Sequence, residues 1–151
     1  MPILQAYPIV AALRAAFTQD AGRQGLLQQA ADRIQAAGSP YTSVYLYMLH
    51  QDELQLEAFA GRPTEHGVIP VGSGICGLAV ASGTNQNIPD VQARDDYIAC
   101  NIDTRSELVV LIRRGDLILG QIDIDSDEAD PFTPEEQAAV QQVADALAVL
   151  L

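Results

Sequence analysis

The sequence predicts an α+β domain, a central and mostly antiparallel sheet flanked by N- and C-terminal helices. Three observations carry this. Apolar residues recur at helical spacing at both ends of the chain. Two pairs of short branched or alternating segments, each joined by a tight turn, lie between those ends. A stretch rich in Gly, Pro, Asn, Asp and Thr, residues 61–105, separates the two pairs.

The first helix has Pro8 in its opening turn, with Ile9, Val10, Leu13, Ala16 and Phe17 at helical spacing. A second helix is predicted over 21–37. Leu26, Leu27, Ala30, Ala31 and Ile34 form its apolar stripe, and Gly38 followed by Pro40 stops it. Strands follow at 44–49 and 54–60, joined by Gln51-Asp52-Glu53 as a hairpin loop. In the middle third a short helix over 76–82 and scraps of strand are expected. Strands return at 108–112 and 117–124 about Arg114-Gly115-Asp116. A last helix begins after Phe132, with Thr133 as N-cap, Pro134 in the first turn and Glu136 completing a capping box. The 151 residues suit one domain over 1–151, with helices in 1–38 and sheet, pocket loops and C-terminal helix in 41–151.

Composition narrows the function. Eight basic residues, all Arg, face 20 acidic ones, a formal net charge of −12. That field repels phosphate backbones and anionic membranes, so neither nucleic acid nor membrane is expected as a partner. No apolar run approaches a membrane span, and the N-terminus lacks signal-peptide features, so a cytoplasmic location is expected. Two Cys and two scattered His are too few for a structural zinc site, so no metal and no cofactor are expected.

Cys76 lies in Gly72-Ser73-Gly74-Ile75-Cys76-Gly77, directly before an apolar helical stretch. A thiol at a helix N-terminus is favoured as thiolate. The alternative is a small hydrophobe filling a helix–sheet gap. Cys100 lies in the irregular Tyr97-Ile98-Ala99-Cys100-Asn101. Glu107 opens one strand of the second pair, and Asp123 and Asp125 close the other. Residues two apart on a strand share a face, and pairing about Gly115 brings the Glu107 end to the Asp123 end. Three carboxylates there repel unless a cation or a proton is shared. The alternative is a solvated strand end. The run from Asp125 to Asp130 lacks an EF-hand pattern and reads as a solvated acidic loop.

From Tyr45 onward the chain resembles a GAF domain, and within that superfamily the free methionine-(R)-sulfoxide reductases. The resemblance rests on Tyr47-Met48-Leu49, Phe59-Ala60-Gly61, Ile69-Pro70-Val71-Gly72-Ser73-Gly74-Ile75-Cys76-Gly77, Ile88-Pro89-Asp90-Val91, Ile98-Ala99-Cys100, Ser106-Glu107-Leu108-Val109-Val110 and Gly120-Gln121-Ile122-Asp123-Ile124-Asp125-Ser126, taken in order. It implies a GAF-like fold and Cys100 as the nucleophile that takes oxygen from free methionine (R)-sulfoxide. The resulting sulfenic acid would be resolved by Cys76 or an external thiol, and the disulfide reduced by thioredoxin or another thiol reductant. Glu107, Asp123 and Asp125 match pocket carboxylates that hold the substrate ammonium and deliver a proton to the leaving oxygen. Tyr45 and Tyr47 are the aromatic substrate-binding candidates.

The chain departs from the family at two places. Residues 62–67 hold no Cys, which leaves Cys76 as the internal resolving candidate. There is also no Trp: Ser43 stands at the pocket tryptophan's position, with Tyr45 or Tyr41 as its substitute. The competing function is a non-catalytic GAF sensor that binds a small ligand in the same pocket. The apolar faces of the terminal helices are rich enough for a homodimer interface.

Overall fold

The helical spacing at the N-terminus becomes α1 (Ala6–Thr18) and α2 (Arg23–Gln35). The first strand pair is β1 (Ser43–His50) and β2 (Glu53–Ala60). The middle third contributes β3 (Val68–Pro70), α3 (Gly74–Ser82), β4 (Gln86–Ile88) and a 3-10 turn at Val91–Ala93. β5 (Ser106–Arg114), β6 (Leu117–Ser126) and α4 (Pro134–Leu150) complete the chain. The structure is a computed structural model that describes residues 1–93 and 103–151.

The strands form one sheet in the order β3-β2-β1-β6-β5-β4, every described pairing antiparallel. The central strands β1 and β6 are covered on both sides, and strand alternation divides the core in two. Val44, Leu46, Met48, Leu108, Val110, Ile122 and Ile124 point toward α1, α2 and α4, where they meet Leu13, Leu27, Ile34, Val140, Val143 and Leu147. Each such buried aliphatic side chain contributes roughly 1.5–3 kcal/mol. This face therefore carries most of the stability. The opposite face packs a smaller cluster beneath α3, made by Tyr45, Tyr47, Val109, Leu111, Ile75 and Ala79. It has room for polar groups.

Three local expectations change. The first hairpin turns on Gln51 and Asp52 alone, with Gln51 at φ 59, and Glu53 already pairs with His50. The acidic run is not all solvated loop: Asp125 and Ser126 are buried in β6, and only residues 127–130 are exposed. The capping box is half formed. The Glu136 amide donates to Thr133 Oγ1 at 3.2 Å, but the Glu136 carboxylate turns away from the cap. It accepts from the Ile3 and Leu4 amides at 2.6 and 3.1 Å and from the Tyr41 hydroxyl at 2.6 Å. Burial, then the bond to Glu136, pushes the Tyr41 hydroxyl far above the usual phenol range. Tyr41 thus belongs to the helix-side core, stacked at a tilt on Phe132, and cannot stand in for a pocket aromatic. No helix among the described residues is long and apolar enough to cross a membrane.

Candidate functional site

The β5–β6 hairpin sets Glu107 opposite Asp125 and Val109 opposite Asp123. On the other side of β6, β1 places Tyr45 opposite Asp123 and Ser43 opposite Asp125. Directly opposed residues share a face. Glu107, Asp123, Asp125, Ser43 and Tyr45 therefore line the face that α3 covers, and all five are buried.

α3 supplies the thiol. Gly77 lets the helix approach the sheet edge, since a Cβ there would stand 2.5 Å from the Pro70 carbonyl oxygen. Gln121, on the same face of β6, donates from Nε2 to the Cys76 carbonyl at 3.1 Å. Cys76 Sγ then donates to Glu107 Oε2 at 3.7 Å. One ligand atom each from Cys76, Glu107 and Asp123 fits within 4.8 Å.

The segment 61–67 is strapped to the same face. Gly61 turns at φ 104, where a Cβ would stand 2.7 Å from both Ser43 Oγ and the Thr42 carbonyl oxygen. The Arg62 amide donates to Ser43 Oγ at 2.9 Å. The Tyr45 hydroxyl donates to the Arg62 carbonyl and the Tyr47 hydroxyl to the His66 carbonyl, both at 2.7 Å. The Arg62 guanidinium grips Asp127 through two bonds of 2.7 and 2.6 Å. That pair holds the Asp127 carboxyl below its ordinary value.

Burial sets the electrostatics. The Cys76 thiol is pushed well above its usual range, first by desolvation and then by the charges of Asp123 and Glu107. Desolvation also raises Asp123, while hydrogen bonds with Glu107 and Cys76 pull it back. Asp125 is raised well above the carboxylate range by desolvation and the charge of Asp123, against the opposing pull of Arg62. Asp123 Oδ1 and Gln121 Oε1 are buried and have no hydrogen-bond partner among the described residues. The arrangement can accept from a cationic or N–H donor, and burial makes its carboxyls hold a proton more tightly than exposed ones do.

The match to the GAF domain model runs over residues 14–151. The chain belongs to the GAF family. This GAF domain is 39% identical over 97 residues to the free methionine-R-sulfoxide reductase of Escherichia coli, a match covering 64% of the chain and 58% of that protein. The chain spans less than two thirds of the length of the curated relatives it matches. Among solved structures it is similar to the type II free methionine-R-sulfoxide reductase of Thermoplasma acidophilum. There the identity is 36% and the TM-score 0.78, covering 91% of this chain and 93% of that one. It is also similar to the enzyme of Neisseria meningitidis in complex with its substrate. That likeness has 27% identity and a TM-score of 0.84, covering 94% and 85% of the two chains.

The GAF sheet brings Glu107, Asp123, Asp125, Tyr45 and Tyr47 to one face through the alternation and pairing of β1, β5 and β6, and α3 lays Cys76 against it. Cys100 lies outside the described residues. Of the two readings of Cys76, the structure supports the small buried residue between helix and sheet. Cys76 is the third residue of α3, and burial beside Asp123 and Glu107 pushes its thiol up. Sequence reasoning missed Gln121 and Arg62. A polar residue at the inward phase of β6 was the available signal for Gln121. Nothing in the sequence ties Arg62 to Asp127, 65 positions away.

Asp125 yields a pH prediction. Its carboxyl binds a proton more tightly folded than unfolded, so its contribution is most favourable below the unfolded value of about 3.9. That contribution is lost as pH rises from there through the raised folded value. Asp125→Asn should therefore raise the melting temperature at pH 7 by about 4 °C. The gain should shrink to nothing toward pH 4, as read by thermal melts across that range.

Proposed function

We propose that this protein reduces free methionine (R)-sulfoxide to methionine on the α3 face of its sheet, with Cys100 as nucleophile. The observation that carries the reading is the burial of Glu107, Asp123 and Asp125 together beside the Cys76 thiol. Such a group suits a small ligand that brings both an ammonium and a proton-accepting oxygen. The Neisseria meningitidis relative is a free methionine-R-sulfoxide reductase seen in complex with its substrate, which supports the same reading here. The chain on either side of 94–102 is fixed beside Glu107: Ile88 pairs with Glu107, and the Val91 amide donates to the Arg105 carbonyl at 2.8 Å.

In the proposed sequence the Cys100 sulfur attacks the sulfoxide sulfur. The S–O bond breaks, the oxygen passes to Cys100 as a sulfenic acid, and methionine leaves. A protonated carboxyl, raised by burial, supplies the proton to the oxygen, and a second carboxylate holds the ammonium. Cys76 then loses its proton to a neighbouring carboxylate and condenses with the sulfenic acid, releasing water and forming a disulfide. Thioredoxin or another dithiol reduces that disulfide. Tyr45 and Tyr47 shape the pocket wall by tethering residues 62–66. A homodimer through α1 and α4 is part of the proposal, since Tyr7 and Val149 are exposed there beside Arg14 and Asp145.

The test compares three substrates with dithiothreitol as reductant: the free R epimer, the free S epimer and a peptide-bound R sulfoxide. Methionine release from the free R epimer alone is expected. No release from any of them would leave the pocket as a sensor's.

A further inference from the structure

The thiol and acids under α3 also match a different occupant. In a tetrahedral zinc-type site the metal–sulfur distance is about 2.3 Å and the metal–oxygen distance about 2.1 Å, which places adjacent sulfur and oxygen ligands about 3.6 Å apart. Cys76 Sγ and Glu107 Oε2 already stand 3.7 Å apart, and an Asp123 oxygen completes a trio within 4.8 Å. A second observation is independent of that spacing. Among the described residues, Asp123 Oδ1 has no hydrogen-bond partner although the residue is only 2% exposed, and the fully buried Gln121, on the same face of β6, also leaves Oε1 unpaired. Buried acceptors without donors are rare, and a bound cation satisfies them. One thiolate with two carboxylates is a borderline donor set. It favours a Zn2+-type ion over Ca2+ or Mg2+, which take oxygen alone. Counting Cys and His in the sequence misses such a site, because two of its three ligands are carboxylates from adjacent strands.

We propose that Cys76, Glu107 and Asp123 form a three-ligand site for a borderline divalent cation of the Zn2+ class, with a fourth position open to water, and that the ion and a substrate ammonium compete for the same carboxylates. The competition rests on the reductase reading; the binding does not. As the metal–sulfur bond forms, the S–H bond of Cys76 breaks and its proton passes to solvent. No electron is transferred.

The probe is Co2+, added to the fully reduced full-length chain without oxygen. One equivalent should bind with a thiolate-to-cobalt charge-transfer band in the near ultraviolet and tetrahedral visible bands, and Zn2+ should bleach both. Cys76→Ser should lose the charge-transfer band. Asp123→Asn should weaken Co2+ binding at least about tenfold. Cys100→Ser should keep the full spectrum, and that variant guards against reading misfolding as lost ligation. Absence of the band in the native chain, its survival in Cys76→Ser, or its loss in Cys100→Ser would each overturn the site. In turnover assays Zn2+ should raise KM for the sulfoxide and leave kcat unchanged, reversibly with a chelator. A chain that shows the cobalt spectrum yet turns over no sulfoxide refutes the reductase reading alone. One that turns over sulfoxide without the spectrum refutes the metal site alone.

Discussion

Replacing Cys100 by Ser is expected to lower turnover of free methionine (R)-sulfoxide by at least about a thousandfold. A serine hydroxyl stays protonated near neutral pH and cannot accept the sulfoxide oxygen as a sulfenic acid. The pocket carboxylates cannot replace it, because they hold and deliver protons but carry no reducing electrons. Cys76→Ser should behave differently. Its sulfur is buried, its proton is held by burial and by the charges of Asp123 and Glu107, and it is poorly suited to a first attack. That variant should release methionine once per chain and then stall until an external thiol is supplied. Rapid-quench measurement of methionine per chain separates the two. Asp123→Asn removes a buried acid from the same face and should reduce kcat/KM by about a hundredfold. A fully active Cys100→Ser would remove the nucleophile from the scheme.

The largest stability effect is expected far from that pocket, at Glu136→Leu. Glu136 is only 5% exposed, and its carboxylate anchors the N-terminal segment and Tyr41 to the first turn of α4. A leucine fills much of the space but leaves two backbone amides and a phenol hydroxyl without an acceptor. Stranding buried donors costs about 1–3 kcal/mol each, and partial rehydration of the segment recovers some of that. A net loss of about 4 kcal/mol, or roughly 10 °C in melting temperature, is expected. Glu136→Gln keeps an acceptor oxygen and should lose about half as much. Thermal melts of the two variants at pH 7 check both figures. An unchanged melting temperature in Glu136→Leu would show that the network contributes nothing.

The pattern of what could be read from residues follows from the range of the forces involved. Helices and strands are set by local periodicity and turn chemistry, so α2, α3 and both hairpins were legible, as was the common face of Asp123 and Asp125. That the Glu107 end lies near the Asp123 end was legible too, from the turn at Gly115, but the pairing of Glu107 with Asp125 was not, because a register shift between Ile112 and Arg113 moves the partners by one residue. Contacts between elements distant in the chain were not. Nothing local tells the Glu136 carboxylate to leave its capping box for Ile3, Leu4 and Tyr41. Tyr41, Tyr45 and Tyr47 look alike in sequence. Yet Tyr41 belongs to the helix-side core, while Tyr45 and Tyr47 come to the α3 face on β1. The two readings of Cys76 could not be separated for the same reason: its helix position is local information, and the two carboxylates beside it come from strands distant in the chain.

The account turns on whether a nucleophilic sulfur and the buried acids serve one amino-acid-sized guest. The most direct measurement is disulfide mapping by mass spectrometry after the reduced protein meets one equivalent of free methionine (R)-sulfoxide. The predicted product is a Cys76–Cys100 disulfide formed in step with released methionine, with both thiols left free after the S epimer. Methionine release with both thiols still reduced, or the same disulfide from either epimer, would contradict it.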